Sequence, residues 1–263
     1  MASYIPSDVA NIIQSFLYEK DFVLSLGVSK DWYKNRFEFG CEVTYKPNMK
    51  TPDYVTFVTM DSLVTDDTLD AESASHLVDV DLSFSQITSL SKFVNVKKLG
   101  LNACVESLGK IQLDKLMIGR NHHITDKDLL SQTFMTILSV SERITDQGIK
   151  NLVNLKELEI RGDQITENGL KNLVNLEILV IWQSHHIRDL SFLPKLRILY
   201  CGDSQMTDQD LIKLKSLKEL YLDSAMNITE EAIKCMNLDE LHVDFNKNIT
   251  EAVRPFVKRL YLY

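Results

Sequence analysis

The chain has 263 residues, 44% of them hydrophobic and 25% charged, with a formal net charge of -8. Those fractions are typical of soluble globular proteins of one or two domains, and the acidic total argues against a general nucleic-acid binder. No run approaches the roughly 18 apolar residues that span a bilayer, and the opening Met1 to Asp8 has no basic segment followed by an apolar one; the expectation is therefore no membrane insertion and no secretion, with the cytoplasm or nucleus as the place of work.

The first segment does not repeat. From Ile5 to Phe39 the apolar residues Val9, Ile12, Ile13, Phe16, Leu17, Phe22, Leu24, Leu26, Val28 and Trp32 fall at helical spacing. Pro6 with Ser7 and Asp8 suits a helix start, and Asp21 suits the cap of a second helix. Two short helices are too small to bury their apolar groups alone. They need a neighbour, in this chain or another.

This segment resembles the F-box family. Without a gap, Ile5-Pro6 stands where that family has Leu-Pro, followed at the family's intervals by Ile13, Leu17, Asp21-Phe22, Val28-Ser29-Lys30 and Trp32. Departures are Ala10 and Asn11, where larger aliphatic residues are common, and Gly27. The resemblance implies docking on the S-phase-kinase-associated adaptor of a cullin-RING ubiquitin ligase, the SCF complex, with Ile5, Pro6, Ile13, Leu17, Val28 and Trp32 facing or supporting that adaptor. The residues themselves also allow these helices to act only as the cap that a repeat array needs over its first apolar face.

Residues 1–40 are thus read as the F-box-like helical segment, 41–54 as a connector packing on the first coil, and 55–263 as a repeat domain. The repeat is plainest where Ile144-Thr-Asp-Gln-Gly-Ile-Lys-Asn-Leu-Val-Asn-Leu-Lys-Glu-Leu-Glu-Ile160 is followed by Ile165-Thr-Glu-Asn-Gly-Leu-Lys-Asn-Leu-Val-Asn-Leu-Glu-Ile-Leu-Val-Ile181. Self-similarity at a period of about 20 to 29 residues in a Leu-x-x-Leu-x-Leu frame marks a leucine-rich repeat, of the kind that accompanies F-boxes. The expected fold is α/β: a right-handed horseshoe solenoid with a parallel sheet on the concave face and helices or short turns on the convex face.

The frame places eleven strands, whose middle core positions are Val58, Val80, Leu99, Leu116, Leu138, Leu158, Leu179, Leu199, Leu220, Leu241 and Leu260, each with a second core residue two places on. Most spacings are 19 to 22 residues. Leu99 to Leu116 is 17, so an irregular return without a full helix is expected there. After most strands comes an aliphatic residue, then Thr and an acid, as in Ile124-Thr125-Asp126 and Ile228-Thr229-Glu230. A hydroxyl acceptor followed by a first-turn carboxylate suits a helix N-terminus, so these residues are read as structural. The cysteine of one F-box-associated repeat subclass is mostly missing, with Ser85, Asp163, Ser204 and Asn246 near that turn.

Function in such a fold lives on the outward strand positions. The column between the core pairs is Thr59, Asp81, Gly100, Met117, Ser139, Glu159, Val180, Tyr200, Tyr221, His242 and Tyr261; the column beyond ends Arg161, Trp182, Gly202, Asp223, Asp244, Tyr263. Aromatics in consecutive strands about 4.8 Å apart form one ladder, and Tyr and Trp are enriched among residues that dominate binding. Val180, Trp182, Tyr200, Tyr221, His242, Tyr261, Asp223 and Asp244 are the expected contacts to a protein target. The same ladder can also serve to stabilise the sheet by cross-strand stacking. Leu260 and Leu262 lack a polar capping repeat after them, which suggests an edge-to-edge homodimer as a further contact.

Catalysis is not expected. His122-His123 and His185-His186 occupy equivalent turns three coils apart, too distant to share an ion, and are read as one-residue turn insertions. No phosphate loop, nucleophile elbow or His-Glu-x-x-His motif is present, and no cofactor or metal is implied. Cys41, Cys104, Cys201 and Cys235 are dispersed, as in a reducing compartment.

Overall fold

The computed structural model describes residues 44–51, 57–140, 142–202 and 205–263. Ile5, Pro6, Ile13, Leu17, Val28 and Trp32 lie outside the described residues. One parallel sheet contains twelve strands in strict sequence order: β1 (Thr44–Tyr45), β2 (Phe57–Met60), β3 (Asp79–Asp81), β4 (Lys98–Gly100), β5 (Lys115–Met117), β6 (Ile137–Ser139), β7 (Glu157–Arg161), β8 (Ile178–Trp182), β9 (Ile198–Gly202), β10 (Glu219–Asp223), β11 (Leu238–Asp244) and β12 (Val257–Leu262). The register never slips. Val80, Leu99, Leu116, Leu138, Leu158, Leu179, Leu199, Leu220, Leu241 and Leu260 are successive partners, so equivalent residues of the repeat become neighbours in space.

The Leu frame thus becomes a continuous core. In the coil from Ile144, the side chains of Ile144, Ile149, Leu152, Leu155, Leu158 and Ile160 are all buried, each contributing on the order of 1.5–3 kcal/mol by leaving water. β1 lies within the segment read as connector and adds a strand ahead of the Leu frame. Tyr45 is fully buried there, its hydroxyl donating to the Met49 carbonyl and accepting from the Asp70 backbone N–H.

The return segments carry single helical turns: α1 (Ala71–Ser75), α2 (Asp126–Leu129), α3 (Asp146–Ile149), α4 (Glu167–Leu170), α5 (Asp208–Leu211) and α6 (Glu230–Lys234), with a 3-10 turn at Glu251–Phe256. Turns this short are not stable by propensity; packing and end caps hold them. Thr145, Thr166, Thr229 and Thr250 are extended N-cap residues whose hydroxyls accept from the N–H two residues on, as the Thr-acid pattern predicts.

The acid does something the pattern alone does not reveal: it reaches across to the next coil. Asp146 accepts from the backbone N–H and the hydroxyl of Thr166, both at 2.7 Å. Asp208 does the same to Thr229, at 2.8 and 2.7 Å, and Glu230 to Thr250, at 3.1 and 2.6 Å. Where no such acid arrives, the coil supplies its own: Thr125 and Thr207 donate to Asp128 and Asp210, three residues on in the same turn.

The short coil between β4 and β5 contains no helix, as its 17-residue spacing predicts. Gln132 of the following coil compensates. Fully buried, it accepts from the Leu113 N–H at 2.9 Å and donates to the Ile111 carbonyl at 2.7 Å. Asn102, Asn121 and Asn246 are likewise buried at the turn after their strands and donate to carbonyls of the preceding coil. The turn where a cysteine was sought is therefore closed in these coils by asparagine amides.

Candidate partner-binding face

Strand length changes along the sheet. β3 to β6 have three residues each, β7 to β10 have five, and β11 has seven. Longer strands present three outward columns instead of two: Glu157, Ile178, Ile198, Glu219, Glu240, Arg259; then Glu159, Val180, Tyr200, Tyr221, His242, Tyr261; then Arg161, Trp182, Gly202, Asp223, Asp244. The C-terminal half of the concave face is therefore the broader platform.

The middle column closes into a stack. Ring centroids of Tyr200 and Tyr221 are 3.8 Å apart at an interplanar angle of 7°, Tyr221 and His242 are 4.3 Å apart at 13°, and His242 and Tyr261 are 4.2 Å apart at 13°. Zero register offset brings these rings together, since the strand separation of about 4.8 Å is close to ring-stacking distance. The faces of Tyr221 and His242 are consequently spent on their neighbours, and less aromatic area meets solvent than the bare column suggests. Edges and polar atoms remain exposed. Tyr261 and Tyr263 are 38% and 77% exposed at the outer end.

Burial shapes the ionisation of the stack. The Tyr221 phenol is pushed up to about 12, chiefly by desolvation, then by its neighbours Tyr200 and Glu219. Desolvation lowers the His242 imidazole below its ordinary value, opposed by the Glu219 carboxylate. His242 Nε2 lies 3.4 Å from Glu240 Oε2, and Glu240 is also paired with Arg259.

Trp182 does not join the stack. Its indole lies over Gly202, its strand partner on β9, so closely that a Cβ at Gly202 would sit 2.5 Å from Trp182 Cε3. Beyond Gly202 follow Asp223 and Asp244, directly opposite each other on β10 and β11. Trp182, the inner edges of the stack, the two aspartates and Tyr263 enclose a cleft of about 220 Å³. Of the residues expected from sequence, Trp182, Tyr200, Tyr221, His242, Asp223 and Asp244 line this cleft; Val180 and Tyr261 flank it in the middle column.

Four further residues were not among the target contacts expected from the sequence. Gly202 provides room for the indole, Tyr263 closes one wall, and Glu219 and Glu240 form the acidic border of the first outward column. Extending the period-two reading one step before each core pair would have found the two glutamates.

The N-terminal half is different in kind. A hollow of about 460 Å³ there is lined by alternating charges, including Asp79, Lys98, Lys115 and Arg161. These largely neutralise one another: Lys98 pairs with Asp79 at 3.5 Å and Arg161 with Glu159 at 2.8 Å. Half-burial nevertheless raises the Asp79 carboxyl above its usual range, against the pull of Lys98.

One histidine of each pair is tied into its turn. His185 Nδ1 lies 3.0 Å from Asp163 Oδ2 across adjacent coils, and its backbone N–H donates to the same carboxylate; these two bonds hold the Asp163 carboxyl below the usual range. His123 N–H is taken by Asn121. Among the described residues no three His, Cys, Asp or Glu side chains converge as a metal set, and no helix is long and apolar enough to cross a membrane.

No model of a known protein family matches the chain, and no curated protein matches it by sequence. Solved structures do match in shape. The structure of Rad7 in complex with Elc1 from yeast aligns over 96% of this chain and 91% of that one, with 15% identity and a TM-score of 0.57. A functional domain of InlJ from Listeria monocytogenes, described as including a cysteine ladder, aligns over 82% of this chain and 51% of its own length, with 18% identity and a TM-score of 0.51. An internalin C2 from the same organism aligns over 80% and 82%, with 20% identity and a TM-score of 0.45. What the likenesses to Rad7 and to InlJ establish is the architecture, and with twelve parallel strands in sequence order the chain is a leucine-rich-repeat solenoid.

Proposed function

We propose that the chain is a protein-interaction adaptor that captures a protein target on the C-terminal half of its concave face. The observation that carries this reading is the cleft between Trp182 and the aromatic stack, where large amphipathic side chains and carboxylates converge on the broadest part of the sheet. The N-terminal segment docks on the S-phase-kinase-associated adaptor of a cullin-RING ligase, making the chain a substrate-recognition subunit of an SCF-type complex. Support for this half comes from the ungapped F-box resemblance across Ile5 to Trp32 and from a solenoid of the same fold, Rad7, having been solved with Elc1. The role requires no chemistry from the chain: tethering raises the effective concentration of target lysines at the ligase.

The test is a calorimetric titration of the purified adaptor subunit into the intact chain and into two folded variants. Ile13→Asp/Leu17→Asp should abolish adaptor binding, whereas Tyr200→Ala/Tyr221→Ala should retain it while releasing the target. An intact chain that does not bind the adaptor would leave a scaffold whose N-terminal helices serve only as a cap. On β12, Leu262 is 36% exposed, which also suits edge-to-edge pairing with a second copy, and sedimentation would register that as a dimer.

A further inference from the structure

The carboxylates beside the aromatic stack specify the chemistry of the target, on the reading that this face binds one. Asp223 and Asp244 are strand partners, and like charges directly opposite each other destabilise a sheet. Some other acids on the concave face have cations: Glu240 has Arg259, Glu159 has Arg161, and Asp79 has Lys98, whereas Asp81, Glu157 and Glu219 have none among the described residues but do not face a second acid that lines the aromatic cleft. Asp223 and Asp244 have none among the described residues. Among the described residues the one side-chain bond to the pair is from the Ser224 hydroxyl to Asp223, at 3.0 Å. An uncompensated acidic pair therefore stands at the wall of a cleft whose other walls are the Trp182 indole, the edges of the tyrosine stack and the exposed Tyr263 ring.

A planar cation matches each of these surfaces. A guanidinium stacks on an indole or phenol face while its in-plane N–H groups donate to carboxylates, a combination an ammonium point charge does less well. We infer that the cleft receives an arginine side chain of the partner protein, its guanidinium against Trp182 and hydrogen-bonded to Asp223 and Asp244. Removal of the mutual repulsion of the two aspartates then favours the bound state.

The probe is N-acetyl-arginine amide, titrated into the full chain against N-acetyl-citrulline amide, its neutral isostere, while following the Trp182 indole N–H by NMR. The Trp182→Phe variant assigns that signal. Saturable shifts with at least tenfold weaker binding of the citrulline compound are expected. The Asp223→Asn/Asp244→Asn variant should lose that preference with its unfolding midpoint unchanged or raised, whereas Glu72→Gln/Glu106→Gln, which removes the same charge from exposed sites elsewhere, should keep it. Equal response to the two compounds, a preference that survives loss of both aspartates or falls equally in the remote control, or no saturable shift with either compound would each overturn the inference. Any of these would leave target capture by the aromatic face standing or falling on its own test, which reads release of the target from the Tyr200/Tyr221 variant.

Discussion

The carboxylate of Asp126 accepts from the backbone N–H of Thr145 at 2.8 Å and from its hydroxyl at 2.7 Å, fastening the start of one coil's helical turn to the start of the next. The residue that lets it in is Gly148, where a Cβ would sit 2.5 Å from Asp126 Oδ1. Gly169 stands in the same relation to Asp146. In a solenoid, stability is a sum of coils and the interfaces between them, so these bonds belong to the interface term. Asp146→Ala should therefore cost about 1–2 kcal/mol, as loss of a cap that leaves a part-buried N–H without a partner. Glu251→Ala, which loses an exposed pair with Arg254, should shift the midpoint far less, because solvent screens such a pair. Urea unfolding midpoints distinguish the two.

The sheet and its core were legible because the Leu frame is strict and the register has no offset, so a column in the sequence is a column in space. The 17-residue coil was legible for the same reason. The acid bridges were not, because a carboxylate in the first turn satisfies its own helix dipole equally well in the sequence, and its true partner lies 19 to 21 residues on. β1 escaped because Thr44 and Tyr45 carry no repeat frame. Of the binding face, the aromatic column was visible; its closure into a stack and the seat of Trp182 on Gly202 depend on ring orientation, which spacing does not fix.

The residue just after β7, β8, β10 and β11 lies in the left-handed region. Gly162 has φ +88°, and the equivalent Gln183, Ser224 and Phe245 have φ near +52° without glycine's freedom. An L-residue there costs about 1–2 kcal/mol, partly offset by the extra freedom glycine brings to the unfolded chain. Gln183→Gly should accordingly stabilise by about 0.5–1 kcal/mol, and Gly162→Ala should destabilise by about 1 kcal/mol. Opposite shifts of the thermal midpoint would be seen; shifts of the same sign would contradict this account.

Ser184 occupies the turn position filled by Asn121 and Asn246 in other coils, and its buried hydroxyl is without a hydrogen-bond partner among the described residues. A buried unpaired polar atom carries a desolvation penalty of about 1–3 kcal/mol. Ser184→Ala should leave the fold intact and raise stability by up to about 1 kcal/mol, measured by chemical denaturation. A clear loss would mean that the hydroxyl has a partner after all.

His242 makes the stack sensitive to acid. Its folded-state pKa lies below the ordinary histidine value because burial disfavours the imidazolium, so the unfolded chain takes up the proton first as pH falls. The groups facing it work in both directions, Glu219 and Glu240 favouring the cation and Arg259 beyond Glu240 opposing it. The net direction gives stability that is complete above the unfolded value of about 6.5 and declines as pH drops through it toward the lower folded value. His242→Phe retains a stacking ring without a titrating group. Between about pH 7.5 and pH 5.5 the parent should lose more stability than this variant; identical pH profiles would rule out the histidine.

Gly202 offers the cleanest way to separate the two roles of the aromatic face. The indole of Trp182 occupies the space a Cβ would need, whereas the stack from Tyr200 to Tyr261 lies in the neighbouring column and makes no use of that space. Gly202→Ala should lift Trp182 from its seat, altering its fluorescence and near-ultraviolet circular dichroism, and weaken the target by at least tenfold. The stack, and hence most of the sheet's stability, should persist, because cross-strand ring pairs each contribute about 0.2–1 kcal/mol and none is touched. If the ladder served only to stiffen the sheet, the substitution would disturb the Trp182 signals and leave the target bound as before.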